Sequence, residues 1–154
     1  MAASSLVGQR VGANDTLSAR KVGYEVVRVA LTYMTALGLA VAVFSRFLAH
    51  PFSSDERVAE LSSTYLVLAG LSEPGLALAM VVGGVIRSAG NTIVPLAVNA
   101  LCLYLVRVAP STILVDYEGV IDAWIAMAVD VYVGGLVLFF IFSSYFGKLA
   151  RRIV

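Results

Sequence analysis

Four apolar runs, at about 24–47, 61–86, 93–115 and 121–146, alternate with short polar and charged segments. A bilayer core about 30 Å thick needs roughly 20 helical residues to cross it, so each run predicts a transmembrane helix. The first has an uncharged centre from Val29 to Ser45, closed at either end by Arg28 and Arg46, both placed to snorkel to the headgroups. The second is interrupted by Glu73-Pro74, the third contains Arg107 and the fourth Asp130. The connections are too short to form a soluble domain. The pattern therefore predicts an all-α integral membrane unit of four transmembrane helices.

Composition agrees. Of the 154 residues, 60% are hydrophobic and 14% charged, and mean hydropathy is +0.90, whereas soluble domains carry about 25% charge. A net charge of +1 leaves no basic face for a phosphate backbone, which sets nucleic acid aside. One cysteine, Cys102, permits no internal disulfide, and with one histidine, His50, no zinc or haem site is expected. Residues 1–15 lack the apolar core of a signal peptide. Arg10, Arg20, Lys21, Arg28, Arg87, Lys148, Arg151 and Arg152 fall on one side of the predicted spans, against Arg46 and Arg57 on the other. The positive-inside rule then places both termini in the cytoplasm of a multi-pass plasma-membrane protein. The acidic residues Asp55, Glu56, Glu60, Asp116, Glu118 and Asp122 all fall on the outer side, in agreement. Three regions result: a cytoplasmic opening over 1–23, the membrane part over 24–147 and a basic tail over 148–154.

Two segments carry more information. One is Leu6-Val7-Gly8-Gln9-Arg10-Val11-Gly12-Ala13-Asn14-Asp15, and the other is Arg87-Ser88-Ala89-Gly90-Asn91-Thr92-Ile93-Val94-Pro95. Read locally, Gly and Asn allow left-handed backbone where a membrane helix stops, Asp15 or Thr16 can cap the next helix, and Pro95 suits a first turn. Each is a loop signal. Taken together, Gly8, Gln9, Gly12, Ala13 and Asp15 with Arg87, Gly90, Asn91, Thr92 and Pro95 resemble the multidrug and toxic compound extrusion transporters. In that family a G-Q-x-x-G-A-x-D/N segment ends the second helix of a six-helix half and R-x-x-G-D/N-T-x-x-P ends the fourth. Trp124-Ile125-Ala126-Met127-Ala128-Val129-Asp130, followed by an apolar run and basic tail, is similar to the family's last helix. The resemblance implies the final third of a twelve-helix exporter, with Met1 to Ser5 as the last turn of the eighth helix and Met1 an internal methionine. It also implies a partner, the N-terminal lobe, because the transport path of such exporters runs between two lobes.

A charge near the bilayer centre costs about 2.5–3.5 kcal/mol on insertion scales, so Glu73, Arg107 and Asp130 each need a reason. Arg107 and Asp130 are expected at similar depth on antiparallel neighbours and can pair directly or through water, as a static pair or in substrate access. Glu73 has no basic residue at its depth, and Pro74 disturbs the helix beside it. A carboxyl kept protonated by burial suits proton or sodium coupling, while a neutral Glu bonded to a carbonyl serves structure alone. Asn99 is expected to hydrogen-bond between helices or to line a cavity. Phe44, Phe47, Phe52, Tyr117, Trp124, Phe142, Tyr145 and Phe146 read as interfacial anchors. Gly83-Gly84 and Gly134-Gly135 read as close helix contacts, and Cys102 as buried filler.

The resemblance implies an antiporter that exports small amphipathic or cationic compounds against proton or sodium influx, with no cofactor beyond the coupling ion. A non-transporting fragment or scaffold subunit, and a lipid-linked sugar or polysaccharide flippase, stay open. A small four-helix multidrug dimer fits less well, because the strong charge bias opposes dual topology. An enzyme is not expected: nucleophile, base and orienter do not occur together, and no phosphate loop is present.

Overall fold

The computed structural model describes residues 2–13, 15–52, 55–110, 112 and 120–150. Met1, Asn14, Asp116, Tyr117, Glu118, Arg151 and Arg152 lie outside the described residues, as do the side chains of Thr16, Phe52 and Lys148. Every regular element among the described residues is helical: α1 Ala2–Gly12, α2 Thr16–Val43, α3 Ser45–Ala49 with a 3₁₀ turn at His50–Phe52, α4 Glu56–Ser88, α5 Ile93–Cys102 continuing as a π-helix over Leu103–Val108, and α6 Val120–Ala150. An apolar chain in lipid must satisfy its backbone within each segment, and helices do so.

Three helices are long and apolar enough to cross a bilayer, within Leu17–Val43, Glu56–Ser88 and Val120–Phe146, and Ile93–Val108 is a shorter apolar helix. The boundaries differ from the apolar runs for local reasons. α1 continues past Ser5 to Gly12, so the opening is a longer helix than one last turn. α2 starts eight residues before Tyr24 because Asp15 caps it, its Oδ1 accepting from the Ser18 N–H at 3.0 Å. Asp55 likewise starts α4, accepting from the Arg57 N–H at 2.9 Å. α2 breaks at Phe44, and α3 carries the first run onward.

Pro74 does not interrupt α4, a continuous helix of 33 residues. A proline removes the hydrogen bond to the carbonyl four residues back, here Gly70, and that oxygen lies directly against Gly38 of α2. Gly38 and Gly70 face each other so closely that a Cβ on either would collide with the carbonyl oxygen of the other. The α4–α6 crossing is similar. A Cβ on Gly135 would meet the Gly75 carbonyl oxygen and the Leu78 Cβ, both at 2.9 Å. Gly83 makes only ordinary contacts, with Leu138 and Pro95, so the tightest approaches are Gly38 with Gly70 and Gly75 with Gly135.

The best-packed region is the end of the bundle that carries α1. Val7 and Val11 pack there with Val82, Val85, Ile86, Leu138, Phe142 and Phe146. Phe142 and Phe146 are therefore core residues, not interfacial anchors; their rings meet edge to face with centroids 5.0 Å apart, and Tyr24 packs on Phe142 at 5.1 Å. The Arg20 guanidinium donates to the Ser143 carbonyl at 2.6 Å and tethers α2 to α6. At the opposite end an apolar cleft of about 940 Å³ opens beside Leu61, Leu66, Val120 and the Tyr65–Trp124 ring pair. Outward-facing positions are apolar too, among them Val29, Tyr33, Leu96, Leu105, Leu136 and Phe140, as a lipid-facing surface requires.

Candidate functional site

The two loop segments of the sequence meet in space. Gly8 of α1 packs on the end of α4, where a Cβ would rest 3.6 Å from the Ser88 carbonyl oxygen. Gln9 and Ala13 close the α1 terminus through Ala13 N–H to Gln9 carbonyl at 3.0 Å. Gly12, the last residue of α1, has open space where a Cβ would stand. The end of α4 is a Schellman motif: Gly90 takes φ 85°, its N–H donates to the Arg87 carbonyl at 2.9 Å, and Asn91 N–H donates to Ile86 at 3.3 Å. Asn91 then turns its side-chain oxygen to the next helix and accepts from Val94 N–H at 3.1 Å. Thr92 precedes α5, and Pro95 sits in the first turn, where a missing N–H leaves no helical acceptor unserved.

These residues are those expected from the family resemblance, and the comparisons now bear directly on it. The family model MatE matches residues 1–113. The chain belongs to the MatE family of multidrug and toxic compound extrusion proteins. Relatives include "Probable multidrug resistance protein NorM" of Thermotoga maritima, 27% identical over 82% of this chain and 27% of its own length. The protein of the same name from Mannheimia succiniciproducens is 26% identical over 91% of this chain and 31% of its own length. "Multidrug and toxin extrusion protein 2" of Homo sapiens is 29% identical over 82% of this chain and 21% of its own length. The chain thus spans less than a third of each of these MatE relatives.

Within this MatE chain, the intramembrane polar residues divide between two places. Glu73 stands midway along α4, on the face that meets α2, its Cβ 3.0 Å from where a Cβ on Gly38 would lie. Among the described residues no hydrogen bond or ion pair engages its carboxylate. Gly75, two residues and about 200° further round α4, faces α6 instead, where a Cβ would meet the Tyr132 backbone nitrogen at 3.1 Å. Since α4 and α6 run parallel, Asp130, two residues before Tyr132, is level with Glu73 but on the other side of α4. The Tyr132 hydroxyl locks this register by donating to the Leu71 carbonyl at 2.6 Å.

Asp130 lines a cavity of about 340 Å³ between α4, α5 and α6, together with Asn99, Arg87, Met80, Leu76 and Leu103. Its volume lies within the range of small-molecule pockets. The Asn99 side chain makes no hydrogen bond among the described residues and borders this space, as does Cys102, which is buried against Gly134 as filler. Arg107 is five residues beyond Cys102 on the antiparallel α5 and so reaches the level of Asp130. No hydrogen bond or ion pair joins Arg107 and Asp130 among the described residues, and Arg107 is not on the cavity wall. It belongs to the π-helical segment, which widens the turn and re-aims its side chains. The sequence placed Glu73 and Asp130 among one set of candidates; the structure separates them by the thickness of α4. It also adds Arg87, read from sequence as part of a turn, to the cavity.

Proposed function

We propose that the chain is the C-terminal part of a secondary active antiporter that exports small amphipathic or cationic compounds, and that Glu73 takes up the coupling proton or sodium ion. The carrying observation is the Glu73 carboxylate itself: midway along a membrane helix, beside Pro74, with no basic partner among the described residues. A charge so placed is costly unless it is neutralised by an ion, and that cost is what makes ion binding a controllable step. The names of the MatE relatives, with their multidrug resistance and toxin extrusion, favour export as the task.

In this reading Ile93–Val108 belongs to a fourth span, both termini are cytoplasmic, and the protein resides in the plasma membrane. Residues 1–23 and 148–154 flank a membrane part over 24–147. The alternating path is completed by an N-terminal lobe, because access between lobes requires both. In everted vesicles bearing the full-length protein, Glu73→Gln is expected to abolish export driven by a proton or sodium gradient, with Glu73→Asp retaining a fraction of it. Gradient-driven export by Glu73→Gln at the wild-type rate would overturn the assignment.

A further inference from the structure

The face of α2 that turns away from the bundle carries charge beside its apolar residues. Gly23, Val27 and Gly38 put the opposite face against α4 and α6. On the outward one, Glu25, Arg28, Val29, Thr32, Tyr33 and Ala36 are all exposed and line a shallow groove of about 520 Å³. Counting about 20 residues back from Val43, the end of α2, sets the nearer membrane boundary at about Tyr24. Glu25 therefore stands at that boundary, and Arg28 lies about 4.5 Å deeper. Side chains of a helix lean toward its N-terminus, which here is toward the headgroups, so both charges reach headgroup level. Neither is neutralised within the chain. The Glu25 carboxylate and the Arg28 guanidinium make no hydrogen bond or ion pair among the described residues, either with each other or with Lys21, one turn nearer the start of α2. The Thr32 hydroxyl is committed to the Arg28 carbonyl at 3.0 Å. Deeper than the charges, Val29, Tyr33 and Ala36 form an apolar track.

We infer that this groove holds one phosphatidylethanolamine molecule, with an acyl chain along Val29, Tyr33 and Ala36, the phosphate on Arg28 and the primary ammonium on Glu25. From the membrane interior outward, α2 presents apolar surface, then a cation, then an anion. This lipid presents hydrocarbon, then phosphate, then ammonium, in the same order. Residues three apart on a helix have Cβ atoms about 5–6 Å apart, a span that the ethylene bridge between phosphate and ammonium matches once a charge-assisted hydrogen bond completes each end. Phosphatidylcholine offers Glu25 no N–H donor and phosphatidylglycerol offers it no cation, so Arg28 alone would hold either of them. The site is on the lipid side of the bundle and owes nothing to export or to Glu73; only its leaflet, the cytoplasmic one, rests on the topology proposed above.

The test is lipid retention by the full-length protein in detergent, counted by native mass spectrometry against added dioleoyl phosphatidylethanolamine, phosphatidylcholine or phosphatidylglycerol. Phosphatidylethanolamine is expected to bind about ten-fold tighter than either of the others, the worth of one charge-assisted hydrogen bond. Glu25→Gln should remove most of that preference, and Arg28→Gln should weaken all three lipids. Because either variant could misfold, a second measurement uses the unaltered protein: phosphatidylethanolamine with a diazirine in its acyl chain should label the α2 peptide that contains Val29 and Ala36. Equal retention of the three lipids by the unaltered protein would overturn the inference, as would a preference that Glu25→Gln leaves intact. Label confined to other helices, the result expected if a second copy or the N-terminal lobe covers this face, would overturn it as well.

Discussion

Asp15 shows how much one side chain at a helix boundary carries. Hydrogen bonding from Ser18, side chain first and backbone second, holds its carboxyl below the usual carboxylate range, with Arg10 and Lys21 adding to the pull. A depressed value in the folded chain means that the cap's contribution is fully present above the unfolded value near 3.8 and is lost as pH falls through the folded value. Asp15→Ala is therefore expected to lower the thermal midpoint at pH 7, with a deficit that shrinks as pH falls below 3.8 and through the folded value, while Asp15→Asn, which still caps, is expected to have a flatter pH profile. Thermal scans of the three proteins in detergent, from pH 7 down to well below 3.8, check this; parallel curves would show the carboxylate is not the cap that matters. Asp15, Gly90 and Asn91 were legible in the sequence because caps act over two or three residues. Arg87 was not, because whether an arginine at a helix end snorkels outward or turns inward depends on helices far away in sequence.

At the level of elements, the apolar runs announced all the long helices, since length and hydropathy are properties of a single segment. Their contacts were another matter. Gly83-Gly84 is the more conspicuous pair, yet the close crossings use Gly38 with Gly70 and Gly75 with Gly135. Glycine spacing says that a helix can be approached closely, and only the partner's position says where it is. The π-helix at Leu103–Val108 likewise has no sequence mark, because neither proline nor glycine occurs in it. The glycines separate by what a methyl group would strike. Gly70→Ala would drive its Cβ into the Gly38 carbonyl oxygen, backbone that cannot yield, and overpacking of this kind costs about 1–3 kcal/mol. Gly134→Ala would bring its Cβ only to 3.7 Å from the Cys102 sulfur, so the gain in helix propensity, up to about 1 kcal/mol, is left unopposed. Denaturation in SDS, followed by circular dichroism, should place the first variant below the wild type and the second at or above it. Equal loss in both would mean that glycine flexibility, rather than the α2–α4 contact, is what the bundle needs.

For the molecule as a whole, packing is uneven from one end to the other, and the asymmetry follows from what each end contains. At the end carrying α1, two glycine-bearing motifs, the Arg20 tether and the aromatic group of Tyr24, Phe142 and Phe146 join α1, α2, α4 and α6. The opposite end holds the cleft of about 940 Å³, walled by apolar side chains from α2, α4 and α6. The helices are thus fastened at one end and apart at the other. In lipid, where apolar residues gain little by leaving their solvent, association depends on van der Waals contact, so a ring at the fastened end should count for far more than one beside the cleft. Phe142 is 0% exposed, with Gly23 pressed against it so that a Cβ there would meet the ring at 2.7 Å. Phe142→Ala leaves a hole that these neighbours cannot all close, at about 3 kcal/mol. Trp124 borders the cleft and has the edge contact with Tyr65, worth no more than about 1.5 kcal/mol. SDS titrations of Phe142→Ala and Trp124→Ala, again read by circular dichroism, should differ by at least this margin in midpoint order, with Phe142→Ala failing first. The reverse order would mean that in the bilayer the cleft is closed around Trp124, and that this end, rather than the one bearing the two motifs, holds the helices together.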